Sequence, residues 1–447
     1  MKRTLDEWLA FIATLHPSAI AMGLERVAAV ASRMAIRIDC PVVTVAGTNG
    51  KGSTCAMLEA IYRHAGFRTG LYTSPHLLRF NERVRIGGDE VSDEALVGAF
   101  EAVEAARAPR VTPHPPRSRS APSPQSGEGR GEGPIPLTYF EFTTLAALRL
   151  FADARLDVLI LEVGLGGRLD AVNILDCDVA IVTTVDIDHV ELLGATREAI
   201  GREKAGVFRA GRPAICADTD PPHSLVEHAT AAGAMLWRIG VEFRYVTEGT
   251  HWRYEGPRGA RYGLPFPALR GAYQLANAAT ALAAVDALHE RLPVAANAVR
   301  AGLVHVELPG RLQVVPGRPA IVLDVAHNAQ AARNLAVALG AMGAFAHTFA
   351  VFGMLADKDI DAVTKTLAPR IDRWYVAPLP GPRGASAARI AAALAVAGVA
   401  TEHVATFDGI AQAFAVACND ANDTDRIAAF GSFLTVAAVL DELRARR

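Results

Sequence analysis

The sequence has few cysteines, and they form no recognisable metal-binding or disulfide pattern. Five cysteines occur among 447 residues, and none belongs to a C-x-x-C pair. An odd number of widely spaced cysteines indicates neither a zinc site nor a disulfide framework. Reduced thiols in the cytoplasm are the simplest explanation of this pattern, so we expect a cytoplasmic protein.

The chain also lacks an excess of either charge and any long apolar run. Its formal net charge is −2, which gives no electrostatic reason to expect nucleic acid or an anionic membrane as a partner. No stretch reaches the ~18 uncharged apolar residues of a membrane span, and the N-terminus has no signal-peptide core. The expected partners are small molecules, with no membrane and no nucleic acid, and we expect a monomer.

Residues 108–136 lack aliphatic side chains almost entirely and are rich in proline, serine, glycine and arginine. Such a segment cannot bury enough apolar surface to offset the entropy lost on ordering. It predicts a disordered surface insertion, and a proline-rich partner-binding segment is the alternative.

The most informative stretch is V-V-T-V-A-G-T-N-G-K-G-S-T, residues 42–54. It predicts a buried strand, a glycine-rich turn and the start of a helix. Backbone N–H groups at the helix start and the ammonium of Lys51 would bind a polyphosphate, and Ser53 or Thr54 could place a hydroxyl on Mg²⁺. The match to G-x-x-x-x-G-K-[ST] is imperfect, because Gly52 separates Lys51 from Ser53. Nucleotide phosphate binding is the hypothesis, and glycines that only make a turn are the alternative.

Four candidate ligand-binding positions lie at the carboxyl ends of predicted strands: the Lys51 loop, Ser74, Glu162 and His189. Ligands of open α/β sheets gather at the carboxyl ends of the strands, so we expect these residues to meet. Glu162 ends the apolar run D-V-L-I-L-E-V, where a carboxylate is costly unless it is paired or binds a metal. From the residues alone, an ion pair remains open for Glu162, and a structural role remains open for His189.

Three arginines, Arg79, Arg83 and Arg85, cluster in the loop after Ser74. A solvated loop and a contact to an acidic ligand are equally open interpretations of this cluster. A choice between them requires the surroundings of each side chain.

The alternation of short apolar strands with helices predicts an α/β fold, and a chain of 447 residues exceeds the size at which a single core stops growing. We expect an N-terminal P-loop-type parallel-sheet ATPase domain over residues 1–306 and a smaller C-terminal Rossmann-like α/β domain over residues 307–447. Residues 242–270 have the pattern of antiparallel hairpins.

Long motifs then identify a family. G-T-N-G-K-G-S-T, T-S-P-H-L, L-T-Y-F-E-F, L-E-V-G-L-G-G-R-L-D-A, D-H-V-E-L-L-G, G-R-E-K-A-G-V-F, L-P-G-R-L-Q and D-V-A-H-N occur in this order. Together they resemble the dihydrofolate synthase/folylpolyglutamate synthase family of the Mur ligase superfamily. The resemblance covers essentially the whole chain except 108–136.

The resemblance implies ATP, two Mg²⁺ ions and an N-carboxylated lysine. The implied ATP contacts are Thr48, Asn49, Gly50, Lys51, Gly52, Ser53, Asn277, Arg311 and Asp324. The implied metal positions are Ser74, Glu162, His189 and Lys204, the last of these carrying the carbamate. A carbamate replaces a cation that would repel Mg²⁺ with an oxygen donor. Lys51, Glu162, His189 and Lys204 are the expected catalytic residues.

The resemblance also implies contacts to the pterin-bearing substrate and to glutamate. The pterin-side residues are Ala19, Ile20, Ala21, Met22, Thr138, Tyr139, Phe140, Glu141, Leu169, Asp170 and Ala171. His327 would face the nucleotide or the incoming amino acid, and Ser432 is a candidate glutamate contact.

The implied reaction activates a carboxylate with ATP as an acyl phosphate, which the amine of L-glutamate then attacks. Dihydropteroate would give dihydrofolate, and reduced folates would gain further glutamates. Three alternatives are a folylpolyglutamate synthase without the dihydropteroate activity, a Mur ligase acting on a cell-wall precursor, and a nucleotide-binding switch protein without ligase chemistry. Phosphate release that depends on glutamate and on each acceptor distinguishes them.

Overall fold

The protein is described here by a computed structural model that covers residues 3–18, 20–109 and 133–446. The expected substrate residue Ala19 and most of the predicted insertion, residues 110–132, lie outside the described residues. The C-terminal end of that insertion joins the fold, because the Ile135 N–H donates to the Arg107 carbonyl at 2.9 Å.

The N-terminal part of the described chain forms a sheet with the strand order β4-β3-β2-β5-β1-β6-β7-β8. Its strands are β1 (Val42–Ala46), β2 (Thr69–Tyr72), β3 (Val84–Ile86), β4 (Asp89–Glu90), β5 (Val158–Glu162), β6 (Val179–Val182), β7 (Pro213–Cys216) and β8 (Met235–Arg238). Six of the strands described here are parallel, as predicted, and β3 and β4 add an antiparallel edge. The β3–β4 hairpin turns through Gly87 and Gly88, both with positive φ, which is the backbone that such two-residue turns require.

Helices cover both faces of this sheet. They are α1 (Leu5–Ile12), α2 (Glu25–Arg33), α3 (Lys51–His64), α4 (Asp93–Arg107), α5 (Tyr139–Asp153), α6 (Val190–Leu193), α7 (Arg197–Ala205), α8 (His223–Ala231), α9 (Gln274–Ala287) and α10 (Ala296–His305). Side chains alternate along β5, so that Leu159 and Leu161 pack with α1, α2, α4 and α5, while Ile160 packs with α3, α9 and α10. This burial on both faces explains the nearly continuous apolar sequence of β5.

The predicted hairpins form a small antiparallel sheet beside α9. It consists, within the described chain, of β9 (Arg244–Glu248), β10 (His251–Gly256) and β11 (Gly259–Leu264). Trp252 and Tyr254 of β10 are fully buried in the core shared with α9.

The C-terminal part has a separate sheet with the strand order β12-β13-β17-β14-β15-β16. Its elements are β12 (Gln313–Val315), β13 (Ala320–Asp324), α11 (Ala329–Ala341), β14 (Thr348–Phe352), α12 (Ile360–Leu367), β15 (Arg373–Val376), α13 (Ala387–Val396), β16 (Val404–Thr406), α14 (Ile410–Asp420), β17 (Arg426–Phe430) and α15 (Phe433–Ala445). All pairings are parallel except β12 with β13. The predicted α/β class with two sheets is confirmed. In the part of the chain described, no helix has the length and apolar character needed to cross a membrane.

Candidate active site

The four marked strand ends meet at one edge of the N-terminal sheet. β2, β5, β1 and β6 are neighbours in the sheet, and Glu162 at the end of β5 lies in register with Val45 of β1. The backbone N–H of Ser74, just beyond β2, donates to Glu162 Oε2 at 3.0 Å. The predicted convergence of the Lys51 loop, Ser74, Glu162 and His189 around one cavity is therefore present in the structure.

The glycine-rich loop is held in a shape that only glycine fits easily. Gly50 has φ +89° and precedes α3, which begins at Lys51. A Cβ atom on Gly50 would lie 2.6 Å from Asn277 Oδ1. Lys51 Nζ donates to the carbonyls of Gly47 and Thr48 at 3.0 and 3.2 Å. The ammonium is thus folded back over the loop, where it faces the cavity together with the N–H groups at the start of α3.

Two ionisable groups in the cavity are almost completely buried. Glu162 and Lys204 are each only 4% exposed. Burial raises the pKa of Glu162, and Lys51 acts in the opposite direction. Burial and the nearby Lys51 lower the pKa of Lys204 to about 7. Both groups therefore lose solvation without gaining a full set of internal partners, which is typical of residues that bind a ligand.

His189 lies at the same edge in a left-handed backbone conformation, with φ +52°. Burial and the ammonium of Lys358 lower the pKa of His189 to about 4, so its imidazole is in the neutral form that can bind a metal. Across the described residues, no three His, Cys, Asp or Glu side chains converge as a metal site. A metal here would therefore need the Ser74 hydroxyl, a modified Lys204, phosphate oxygens or water to complete its coordination.

The linker between α10 and β12, residues 306–312, and the C-terminal sheet close the other side of the cavity. Asp324, at the end of β13, accepts from the backbone N–H groups of Leu312 and Ala326, both at 2.8 Å. Burial raises the pKa of Asp324. The Arg311 guanidinium lies 4.9 Å from the ring centroid of Phe433 at the start of α15. Arg311 is thereby directed into the cavity from the linker.

Polar side chains also connect the glycine-rich loop to the C-terminal domain. Asn49 Nδ2 donates to Asn328 Oδ1 at 3.1 Å and to Gln330 Oε1 at 2.6 Å. Lys358 Nζ lies 2.5 Å from Asp188 Oδ1 and 3.3 Å from His189 Nε2. The conformations of the glycine-rich loop and of the loop that carries His189 therefore depend on the position of the C-terminal domain.

Most of the predicted nucleotide and metal residues line this single cavity. The lining includes residues 48–53, Ser74, Glu162, His189, Lys204, Arg311, Asp324 and His327. Asn277 lies behind the loop, where its Nδ2 donates to Gln274 Oε1 at 2.9 Å. Ser432 is nine-tenths buried, and its Oγ accepts from the N–H of Leu434 at the start of α15, so it faces its own helix rather than the cavity lining.

Two of the predicted pterin-side segments contact the loop 164–170, which leads into the third and lies next to the cavity. A Cβ on Gly164 would collide with the Phe140 ring, and one on Gly166 would lie 3.9 Å from Met22 Cε. Arg26 joins two of the segments, since it donates to the Ala21 carbonyl at 2.9 Å and to Glu141 Oε1 at 2.8 Å. The described residues of the three segments, which do not include Ala19, therefore form one surface.

Two residues of that surface are occupied by internal hydrogen bonds. Glu141 forms a capping box with Thr138 at the start of α5, and it also pairs with Arg26. Asp170 accepts from the N–H groups of Leu165 and Val172 at 2.8 and 3.1 Å. These contacts give Glu141 and Asp170 a role in shaping the surface.

Sequence reasoning missed several residues of the cavity. Asp188, Tyr273 and Phe433 line it, and Lys358 pairs with Asp188 although the two are separated by 170 residues. No motif marks Lys358, because its importance depends on how the two domains pack. A lysine in the short A-D-K-D stretch has no periodic pattern that would distinguish it from a surface residue.

Comparisons with known proteins found two family models that match the chain. Residues 134–285 match the Mur ligase middle domain, and residues 310–433 match the Mur ligase glutamate ligase domain. The dihydrofolate synthase/folylpolyglutamate synthase of Escherichia coli (strain K12) is 44% identical over an alignment 447 residues long, which covers 99% of this chain and 96% of that protein.

Two solved structures are similar over nearly their whole length. E. coli FolC in complex with DHPP and ADP superimposes with a TM-score of 0.88 at 43% identity, covering 100% of this chain and 99% of that one. A bifunctional folylpolyglutamate synthase/dihydrofolate synthase with Mn, AMPPNP and L-glutamate bound gives a TM-score of 0.86 at 44% identity, covering 99% and 98% of the two chains.

Proposed function

The chain belongs to the dihydrofolate synthase/folylpolyglutamate synthase family of Mur ligases, and from this membership we propose how its residues carry out the family's reaction. The protein is an ATP-dependent ligase that joins L-glutamate to dihydropteroate, forming dihydrofolate, and to folates, forming folylpolyglutamates. We further propose that both activities reside in this one chain.

A single observation carries the assignment of residues. Lys51, Glu162, Lys204 and Arg311 face one cavity between the sheet edge and the C-terminal domain. Cations at a helix start accommodate a triphosphate, and a buried carboxylate beside them can hold a divalent metal. The same cavity thus contains what is needed to transfer a phosphoryl group to a carboxylate.

Activation of the acceptor is the first step. The acceptor carboxylate oxygen attacks the γ-phosphorus of ATP, the bond to the bridging oxygen of ADP breaks, and an acyl phosphate forms. Lys51 and Arg311 neutralise charge that develops on the transferring phosphoryl group. The amine of L-glutamate then attacks the acyl carbon, a tetrahedral intermediate collapses, and phosphate leaves with formation of the amide.

The residues at this edge fit a divalent metal. Glu162 provides a buried carboxylate, Ser74 in the lining of the same cavity provides a hydroxyl, and His189 provides a neutral imidazole. When bound, Mg²⁺ supplies positive charge to the phosphate oxygens. We propose two such ions, since the triphosphate and the acyl phosphate each need charge neutralised.

We also propose that Lys204 is N-carboxylated. Its amine is buried beside Lys51, and a second ammonium there would repel both Lys51 and a metal. A pKa of about 7 leaves much of the amine neutral at pH 7, and the neutral amine is the form that reacts with CO₂. ¹³C NMR of enzyme equilibrated with ¹³C-bicarbonate should give a carbamate signal that Lys204→Arg abolishes and that Lys365→Arg, on the exposed face of α12, retains.

The domain boundary at 306/307 and closure of the C-terminal domain are part of the proposal. α10 ends at His305 and the first strand of the second sheet begins at Gln313, so the linker carries Arg311 between them. Closure would exclude the water that hydrolyses an acyl phosphate. We keep the expectations of a monomer and of a cytoplasmic location, the latter because all five cysteines are unpaired.

The test is release of phosphate from ATP by the purified protein. Release should require both L-glutamate and an acceptor, and the product should gain one glutamate residue by mass. Dihydropteroate and tetrahydrofolate are assayed separately, because activity with tetrahydrofolate alone would leave a folylpolyglutamate synthase. Phosphate release that does not require L-glutamate would contradict the ligase assignment.

A further inference from the structure

The three arginines that follow Ser74 in the sequence have three different environments. Arg79 is exposed and pairs with Asp93 at 3.4 Å. Arg85 pairs with the buried Glu59. Arg83 forms no ion pair with any described residue, and its charge acts on the Glu162 carboxylate only at longer range, where it helps to lower the pKa of Glu162 against the larger effect of burial.

Arg83 is nevertheless held in a fixed position. Its Nε donates to His76 Nδ1 at 2.8 Å. Its guanidinium lies 5.3 Å from the ring centroid of Phe80 and 5.9 Å from that of Tyr139. The terminal NH₂ groups have no hydrogen-bond partner among the described residues, and these groups are the pair with which arginine binds a carboxylate.

The position of Arg83 lies between the two halves of the site. The Thr73 N–H donates to the Arg83 carbonyl at 2.9 Å, and the next residue, Ser74, contacts Glu162. On the other side is Tyr139, the first residue of α5 and a member of the pterin-side surface. Arg83 is not among the residues that line the central cavity, whereas Ser74 and Glu162 are.

We propose that Arg83 binds the α-carboxylate of the terminal glutamate of a folate acceptor. The proposal rests on the ligase function above, which places the reacting γ-carboxylate in the cavity near Lys51 and Glu162. The α-carboxylate follows the γ-carboxylate after a short aliphatic spacer, on the side toward the pterin. Arg83 is an unpaired, fork-shaped cation in this position, whereas dihydropteroate has only its reacting carboxylate and needs no such cation.

Arg83 is therefore a positioning residue for one acceptor and not for the other. Its packing against Phe80 and Tyr139 stabilises the cation when no carboxylate is present. This arrangement lets one site accept dihydropteroate without a penalty and still hold a folate in register for addition of the next glutamate.

The experiment compares three acceptors in the full-length protein. They are tetrahydrofolate, an analogue in which 4-aminobutyrate replaces the terminal glutamate and so removes the α-carboxylate, and dihydropteroate. The wild-type protein should use tetrahydrofolate at least about tenfold better than the analogue in kcat/KM, because a charged hydrogen bond is lost. Arg83→Gln should bring this ratio close to one, mainly through KM, and leave dihydropteroate kinetics unchanged.

Arg79→Gln is the matched control, since it removes an exposed arginine from the same loop and should preserve the ratio. Each ratio is measured within one preparation, so a loss of folded protein cancels. Should Arg83→Gln fail to fold, Arg83→Lys is the second variant. It keeps the charge without the planar fork and should lower the preference for tetrahydrofolate over the analogue by a smaller factor.

Two results would overturn the inference. One is an Arg83→Gln protein that prefers tetrahydrofolate over the analogue as strongly as wild type does. The other is a parallel loss with dihydropteroate, which would show that Arg83 serves a part common to both acceptors. A wild-type protein that ligates no acceptor would instead refute the proposed function.

Discussion

Glu162 and Asp286 are two acidic residues of the same domain with the same exposure, 4% each, and very different surroundings. Asp286 on α9 accepts from the Tyr254 hydroxyl at 2.9 Å and from Arg261 at 2.7 Å, which fastens the small antiparallel sheet to the helix. Glu162 has one backbone N–H from Ser74, and burial raises its pKa. A buried carboxylate with complete partners stabilises the fold, whereas one with incomplete partners is available to a ligand.

Substitution of Glu162 should have the largest effect, which is a loss of catalysis without a loss of stability. Glu162→Gln removes the carboxylate proposed to hold a metal, so we expect kcat/KM to fall by about a thousandfold in the phosphate-release assay. The melting temperature at pH 7 should stay the same or rise. A control is Glu101→Gln on the exposed face of α4, which should leave both quantities unchanged.

The pH dependence of that stability effect has a definite sign. Burial raises the pKa of Glu162 above its value in the unfolded chain, so the native state binds the proton more tightly. The contribution of Glu162 to stability therefore declines as pH rises from its unfolded pKa through its folded pKa. The stability gained by Glu162→Gln should be absent near pH 4 and present at pH 7, and a melting temperature that falls by several degrees at pH 7 would contradict the comparison.

Substitution of Asp286 should have the opposite profile. Asp286→Ala leaves the buried end of Arg261 and the Tyr254 hydroxyl without their acceptor, so the free energy of unfolding should fall by about 3 kcal/mol. Chemical denaturation measures this loss, and the kcat/KM of the folded fraction should be unchanged. Glu290→Ala is the control, because Glu290 is 83% exposed in its pair with Arg258 and should contribute less than about 1 kcal/mol.

Lys358 provides an intermediate case, a buried charge whose partner lies on the other domain. Its side chain is 6% exposed and contacts Asp188 and His189. Lys358→Ala should lower kcat/KM by about tenfold, because the loop that carries His189 loses its anchor in the C-terminal domain. Lys365→Ala, on the exposed face of α12, is the matched control. A loss of stability with intact kinetics would instead group Lys358 with Asp286.

The sequence contains enough information for the sheet edge but not for the contacts across it. The apolar run of β5 and the rule that ligands gather at strand ends led to Glu162 and Ser74. The pairing of Lys358 with Asp188 spans 170 residues and depends on domain packing, which no local pattern encodes. Arg79, Arg83 and Arg85 show the same limit of local patterns. Their side chains are identical, but they contact different partners in the folded protein.

At Glu141 the local sequence pattern indicates a structural role. T-x-x-E at residues 138–141 is the pattern of a capping box, and the structure contains that box. The family resemblance suggested a substrate contact at the same residue. The internal bonds of Glu141 explain how the segment is shaped, while a direct contact to substrate at Glu141 stays a prediction.

The hydrogen bonds from Asn49 to Asn328 and Gln330 tie the loop proposed to hold phosphates to the opposite lobe of the molecule. Binding and closure are then linked thermodynamically. If contact between the two lobes increases the affinity for nucleotide by some factor, bound nucleotide increases the equilibrium constant for that contact by the same factor. A bound nucleotide would accordingly hold the two lobes together more firmly than they are held without it.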